Sequence, residues 1–194
     1  PGLHNLQNAL AAITVATHLN ISDQAIRESL KTFTGVGRRF QINQEFSIQN
    51  EPVTLVDDYA HHPREIEATL GSLKQAWPKR RAIIIFQPHR YSRTRDLFED
   101  FVRVLSSVDI LILLEVYSAG EDVIAGADGR ALAQAIRARG QVNPVFVEDR
   151  NDLLDILEGL VQPKDVVLTL GAGSVSKIAA VLSEIGRASC RERV

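Results

Sequence analysis

Methionine is absent from the 194 residues, and cysteine occurs once, at Cys190. A lone thiol closes no intrachain disulfide, so a packed core has to hold the fold. Positive charge is scarce for a polyanion binder: 22 Lys and Arg stand against 24 Asp and Glu, a formal net of −2. That balance leaves no basic field for a nucleic-acid backbone or an anionic membrane, and neither is an expected partner. Long apolar runs are missing too. Stretches such as Ala82–Phe86 and Ile110–Leu114 stop at five residues, far below the roughly 20 that a helix needs to cross a bilayer. No signal-peptide pattern opens the sequence, and a reducing cytoplasm is the expected setting. The remainder is ordinary for a globular chain, with 45% hydrophobic and 24% charged residues. That length supports one full core with some to spare.

The two ends differ from the middle. Pro1-Gly2 leads straight into helical periodicity, as expected of a piece of a longer protein. Residues 184–194, which include Gly186-Arg187-Ala188-Ser189-Cys190, have no apolar periodicity and are expected to be a non-native tail.

Between the ends the periodicity changes character. Leu3, Leu6, Leu10, Ile13, Ala16 and Leu19 recur every three or four residues, which predicts a helix over about 3–18 with one apolar face. Ser22 is placed to cap a second helix from Asp23, with Ile26, Leu30 and Phe33 pointing inward, and Gly35-Val36-Gly37 ends it. A domain boundary is expected at about residue 37. From Arg39 the pattern alternates, placing Phe40, Ile42, Phe46 and Ile48 on one side of a hairpin. Five strand-like runs follow, at 53–57, 82–86, 110–116, 145–147 and 166–170, each ahead of an amphipathic helical stretch; the last of these is expected over 175–183. Parallel strands need crossovers, and right-handed crossovers spread helices over both faces. The expected class is α/β, a doubly wound and mainly parallel sheet.

In such a sheet, ligands bind beyond the carboxyl ends of the strands. Two of those ends are polar: Asp57-Asp58-Tyr59-Ala60-His61-His62-Pro63, and Gln87-Pro88-His89-Arg90-Tyr91-Ser92-Arg93-Thr94-Arg95. The two loops are expected to be neighbours, one bringing carboxylates and imidazoles, the other three guanidiniums suited to carboxylate or phosphate oxygens. A helix start explains Asp58 and Pro63 but not two adjacent histidines. A metal site on Asp57, Asp58, His61 and His62 is a rival reading, though consecutive side chains rarely converge on one ion and no second spaced set exists. Gly171-Ala172-Gly173-Ser174 reads as a tight strand-to-helix turn before an anion cradle, because the third glycine of a dinucleotide fingerprint is missing. The stretch from Val116 to Gly129 reads as a flexible linkage or a mobile rim.

Together, Leu3-His4-Asn5-Leu6-Gln7-Asn8-Ala9-Leu10-Ala11-Ala12, Gly37-Arg38-Arg39-Phe40 and the two polar loops resemble the Mur ligases, in order and spacing, over residues 2–183. The resemblance implies a Rossmann-like carboxyl-terminal domain at 38–183, preceded at 1–37 by the end of the central ATP-binding domain. It is strongest to the alanine-adding branch. It implies that ATP and Mg²⁺ serve to phosphorylate the carboxylate of UDP-N-acetylmuramate, and that L-alanine then attacks the acyl phosphate in peptidoglycan precursor synthesis. Carried over by motif, Asn5 and Asn8 resemble adenine-side residues, Arg39 a phosphate-side arginine and Asp58 a ribose contact. Tyr59, His61, His89, Arg90 and Arg93 resemble the lining of the amino-acid site, with His61, His89, Arg90 and Arg93 as the catalytic set. No metal ligand is implied among them; those for Mg²⁺ are expected upstream, as is the phosphate loop, since no G-x-x-x-x-G-K-[ST] run is present. The murein tripeptide-recycling branch is a second reading, which Ala60 favours mildly and the Gln87–Thr94 segment disfavours. A noncatalytic nucleotide- or amino-acid-binding module is a third.

Overall fold

The computed structural model of the chain describes residues 3–48, 51–149 and 152–178. Two helices come first, α1 (Leu3–His18) and α2 (Asp23–Thr32). A hairpin of β1 (Gln41–Ile48) and β2 (Glu51–Asp58) leads into α3 (Pro63–Ala76) and β3 (Ala82–Phe86). Then follow α4 (Tyr91–Asp96), α5 (Phe98–Leu105), β4 (Ile110–Leu114), α6 (Gly129–Arg139), β5 (Val145–Val147), α7 (Leu153–Leu160) and β6 (Val166–Leu170). A helical turn at 175–178 follows β6; the rest of the helix expected over 175–183, like the tail, lies outside the described residues.

The strands form one sheet in the order β1-β2-β6-β3-β4-β5. Only the β1–β2 pair is antiparallel; the other four pairings are parallel. The chain is therefore an α/β protein with a mostly parallel sheet. Strand residues divide between the two faces by the two-residue period of extended backbone. Val56, Ile84, Phe86, Leu113 and Leu168 pack with Ile66 and Leu73 of α3, Phe101 of α5 and Leu132 of α6. Leu55, Ile83, Ile85, Ile112 and Val167 pack on the other face with Leu153 and Leu157 of α7 and with Val175 and Ile178. Crossovers that move outward from β2 thus run over one face. The return from β5 to β6 runs over the other, as right-handed connections require.

Three local expectations change. The last strand slots between β2 and β3, so the two polar loops leave strands that are not adjacent. The arginine-rich segment is not all loop, because α4 occupies Tyr91–Asp96. The hairpin breaks register between Ile42 and Gln44, and Ile42 is 54% exposed while Phe40 is buried, so these two do not share an inner side. Phe46 and Ile48 lie in β1, but their side chains are outside the described set.

Helices α1 and α2 pack against each other, and Ser22 accepts the Ala25 N–H as the N-cap of α2. Their apolar faces do not enter a core among the described residues: Leu6, Leu10 and Leu19 of the first segment and Leu30 and Phe33 of the second are exposed. Ala9, Ile13, Ala16 and Ile26 are the half-buried apolar positions. No helix among the described residues is long and apolar enough to cross a membrane.

Gly71 sits inside α3, and a methyl group added there meets no atom within 4 Å. Gly71→Ala should therefore stabilise the protein by about 0.5–1 kcal/mol through helix propensity alone. Urea unfolding checks this, and a lower midpoint would mean that the α3 surface is tighter than described.

Candidate active site

At the end of β2 the two aspartates take different jobs. Asp57 accepts from Arg38 Nε at 2.8 Å and from the Thr169 hydroxyl at 2.7 Å, which ties the segment before β1 to β2 and β6. Asp58 is 4% exposed and accepts the Phe40 and Ala60 N–H groups, each at 2.8 Å, and the Thr69 hydroxyl at 3.3 Å. Burial pushes its pKa up, and those hydrogen bonds only partly offset the effect. These contacts make Asp58 an internal brace of the loop, so the ribose role implied by resemblance has no support in this arrangement.

The adjacent histidines also separate. His62 is the N-cap of α3: its ring Nδ1 accepts the Arg64 N–H at 3.3 Å. Glu65 reaches back to accept the N–H groups of His61 and His62, completing a capping box. Burial opposes the charge on Glu65, but those two N–H groups with His61 and Arg39 outweigh it and hold its pKa below the usual glutamate value. His61 is then turned outward from the cap. Its Nδ1 lies 3.1 Å from the Tyr59 carbonyl, which can only accept, so Nδ1 carries a proton and, in the neutral ring, Nε2 is the acceptor nitrogen.

At the end of β3 the chain is pinned to the segment after β4. Tyr117 N–H donates to Pro88 O, and Arg90 N–H donates to Tyr117 O, both at 2.8 Å. Arg90 takes φ +73 and ψ 134, and α4 starts from it. Helical geometry then fans the arginines apart, since residues two apart on a helix point to nearly opposite sides. Arg95 pairs with Asp96, and Arg90 is half-exposed with Nη1 3.8 Å from Glu121. Arg93 alone of the three turns to the histidines, with Nη1 donating to His89 Nδ1 at 3.3 Å and to His89 O at 3.2 Å.

The rings close the site. His61 and His89 meet edge to face at 5.8 Å, Tyr59 packs edge-on to His61 at 5.3 Å, and Tyr117 stacks on His89 at 5.5 Å. Arg38 and Arg39 lie over the Tyr59 ring at 5.2 and 5.8 Å, and Arg39 is also 3.8 Å from Glu65. The structure thus gathers Tyr59, His61, His89 and Arg93 with Arg39 at the margin, turns Arg90 aside, and seals Asp58 beneath. Asn5 and Asn8 stand on α1, and Asn8 is exposed. Among the described residues Arg93 faces no carboxylate. A guanidinium with only a neutral ring and a carbonyl for partners is poised for an anion.

Three participants escaped the sequence reading. Arg38 stands in the quoted Gly37–Phe40 motif, and its Nη2 also donates to Gly171 O at 2.6 Å. Tyr117 and Glu121 belong to the stretch expected to be flexible or mobile. That stretch is instead tied down: Glu115 accepts the Val116 and Gly129 N–H groups, and Glu121 accepts from Ser92. The same strand-end rule that selected the first two loops points to Tyr117, which follows β4 closely.

The glycine-rich turn serves close packing. A Cβ on Gly171 would lie 2.7 Å from Gln87 O, and one on Gly173 would lie 2.7 Å from Gln87 Oε1 and 2.8 Å from Tyr117. Gln87 Oε1 also takes the Val175 N–H, which an anion would otherwise use. A cleft of about 400 Å³ adjoins the cluster through Gln87 and Tyr117, with Glu115, Glu148, Ser174 and Lys177 on its other walls. Among the described residues no three His, Cys, Asp or Glu side chains are grouped to hold a metal ion. The rival metal reading fails on its own residues, since Asp57, Asp58 and His62 are each turned to a different internal partner.

The model of the Mur ligase, glutamate ligase domain, matches residues 38–173, from Arg38 in the site to Gly173 in the turn. The chain belongs to the Mur ligase family. It is 60% identical over 184 residues to the UDP-N-acetylmuramate–L-alanine ligase of Methylococcus capsulatus, covering 95% of this chain and 39% of that protein. It is 54% identical over 182 residues to the ligase of the same name from Halorhodospira halophila, covering 94% of this chain and 37% of that one. The crystal structure of the UDP-N-acetylmuramate-alanine ligase of Thermotoga maritima superimposes with a TM-score of 0.77 at 30% identity, over 97% of this chain and 39% of that one. The chain spans about two fifths of the length of these Mur ligases.

Within this Mur ligase domain the histidine–arginine contact is testable by titration. Burial first, then the charges of Arg93, His61 and Arg90, hold His89 below the ordinary histidine value of ~6.5. The unfolded chain then binds the extra proton more readily, so His89 makes stability climb as pH rises through that window. NMR of the His89 ring protons should give a depressed midpoint, and Arg93→Ala should move it upward. A midpoint indifferent to Arg93 would contradict the contact.

Proposed function

We propose that the chain is the carboxyl-terminal part of a cytoplasmic, ATP-dependent ligase that joins L-alanine to UDP-N-acetylmuramate in peptidoglycan precursor synthesis. Residues 1–37 are taken as the end of the central ATP-binding domain, 38–183 as the carboxyl-terminal domain and 184–194 as a non-native tail. The 60% identity to the Methylococcus capsulatus ligase supports the reaction. The start of the family match at residue 38 and the exposed apolar faces of α1 and α2 support the division, since contiguous exposed apolar surface marks an interface.

The observation that carries the reading is Arg93, held by His89 beside His61 and Tyr59 with no carboxylate opposite among the described residues. The physical task of such a ligase is to bring an amino acid and an acyl phosphate together as oriented partners. Arg93 offers forked donors to the carboxylate of L-alanine, and Arg90 stands at the rim as a second cation. His89 accepts from Arg93 on Nδ1, so its proton is on Nε2 and the ring stays neutral in place. His61 presents Nε2 as an acceptor and is the nearest base for the proton that the alanine ammonium must lose before attack. Tyr59 and Tyr117, both exposed, form the aromatic wall beside the two imidazoles. Arg39, half-exposed over Tyr59, is available to phosphate oxygens, and Asn5 and Asn8 are taken as adenine-side residues. Among the described residues no three His, Cys, Asp or Glu side chains gather around a metal ion, and the ligands of Mg²⁺ are assigned to the upstream part of the ligase.

The 194-residue chain carries no phosphate loop and is expected to release no phosphate from ATP in a coupled assay. A chimera with residues 3–183 in place of the matching segment of the Methylococcus capsulatus ligase should release phosphate only when UDP-N-acetylmuramate, ATP and L-alanine are all present. Arg93→Ala in that chimera should raise KM for L-alanine about 10- to 100-fold, the range for one charge-assisted hydrogen bond. Turnover by the chain alone, or an unmoved KM for L-alanine, would sink the proposal.

A further inference from the structure

Glu121 lies between β4 and α6, 29 residues from the segment it holds. Its two carboxylate oxygens divide between the two donors of one serine: Oε2 accepts the Ser92 N–H at 2.9 Å and Oε1 accepts the Ser92 hydroxyl at 2.7 Å. Ser92 is in the first turn of α4, whose N-cap residue, Arg90, makes no capping hydrogen bond with its side chain. Glu121 therefore does from a distance what a capping side chain does locally, satisfying a first-turn N–H that has no partner within the helix.

The place it caps is strained. Arg90 at φ +73 and ψ 134 is in a sparsely populated region for any residue with a side chain, and such conformations persist only where surroundings over-determine them. Here the surroundings are Tyr117 O, which takes the Arg90 N–H, Thr94, which donates backbone and hydroxyl to Arg90 O, and Glu121 on Ser92. The turn leaving Arg90 sets the direction of Arg93, three residues on. The ion pair with Arg90 contributes little beside this, because it is 3.8 Å long and half-exposed. The Ser92 N–H and hydroxyl also keep Glu121 ionised, holding its pKa below the usual glutamate value.

We propose that Glu121 is a positioning residue for amino-acid binding: by clamping Ser92 it holds α4 in the orientation that delivers Arg93 to His89. The proposal rests on the reading of the Tyr59–His61–His89–Arg93 cluster as the amino-acid pocket. Glu121 touches no substrate in it and acts through Arg93.

Two measurements test it. In the 194-residue chain the Glu121 carboxylate itself raises the His89 NMR midpoint, so Glu121→Ala is read against Glu121→Gln, which loses the same charge: Glu121→Ala should give the higher midpoint of the two, because Arg93 loses its aim. In the chimera, Glu121→Ala should raise KM for L-alanine about tenfold while kcat and the KM values for ATP and UDP-N-acetylmuramate stay within about threefold. Glu121→Gln keeps both contacts, its carbonyl accepting the Ser92 N–H and its amide donating to the hydroxyl, so it should stay within about threefold throughout. Glu121→Gln behaving like Glu121→Ala would overturn the geometric account. A His89 midpoint no higher in Glu121→Ala than in Glu121→Gln, where Arg93→Ala moves it upward, overturns the positioning role while the pocket stands. An unmoved KM for L-alanine in Arg93→Ala itself overturns the pocket reading, and the His89 midpoint then still decides whether Glu121 aims Arg93.

Discussion

The insertion of β6 between β2 and β3 is the constraint on which the carboxyl edge of the sheet depends. Leu168 pairs with Val56 on one side and Ile84 on the other, so the last strand of the series is locked at the centre of the sheet. Two strand spacings, about 10 Å, then separate the polar loops of β2 and β3. Long side chains have to bridge that gap, and the His61 and His89 rings do so, meeting with centroids 5.8 Å apart. The same strand end gathers fixed contacts from both neighbours: Gly171 N–H donates to Asp58 O, Gln87 N–H to Leu170 O, and the Thr169 hydroxyl to Asp57.

Among the described residues of the cluster, charge is distributed so that Arg93 is left facing neutral groups. Arg38 is paired with Asp57, Arg39 stands near Glu65, Arg90 near Glu121 and Arg95 with Asp96. Arg93 faces an imidazole that its own charge helps to keep neutral. Several of these pairs are half-exposed and contribute little to stability. Their consequence is selective: they occupy the neighbouring guanidiniums while leaving one set of forked donors for an incoming carboxylate.

Much of this was legible in the residues. The alternation of apolar runs with amphipathic stretches predicts the strands to within a residue or two, with 82–86, 145–147 and 166–170 matching outright, because burial on both faces writes itself as continuous hydrophobic runs. Ser22 as a cap and the clustering of His61, His89 and Arg93 were equally visible. Asp58 was not, since an aspartate in a ligand loop and an aspartate bracing that loop have the same sequence signature. Neither was the fanning of Arg90, Arg93 and Arg95, which looks like one basic patch until α4 distributes the side chains around an axis. Glu121 was hidden for a different reason. A carboxylate that caps a helix 29 residues away leaves no local pattern at either end.

By itself the sequence determined which segments are strands and helices and which residue types could meet at the sheet's carboxyl edge, because hydrophobic period and strand-end chemistry are local properties. Only the tertiary structure decided which of those residues face one another. Strand order, the direction of each side chain leaving a helix and the partner that claims each lone pair come from contacts between residues far apart in the chain, and no short-range pattern encodes them.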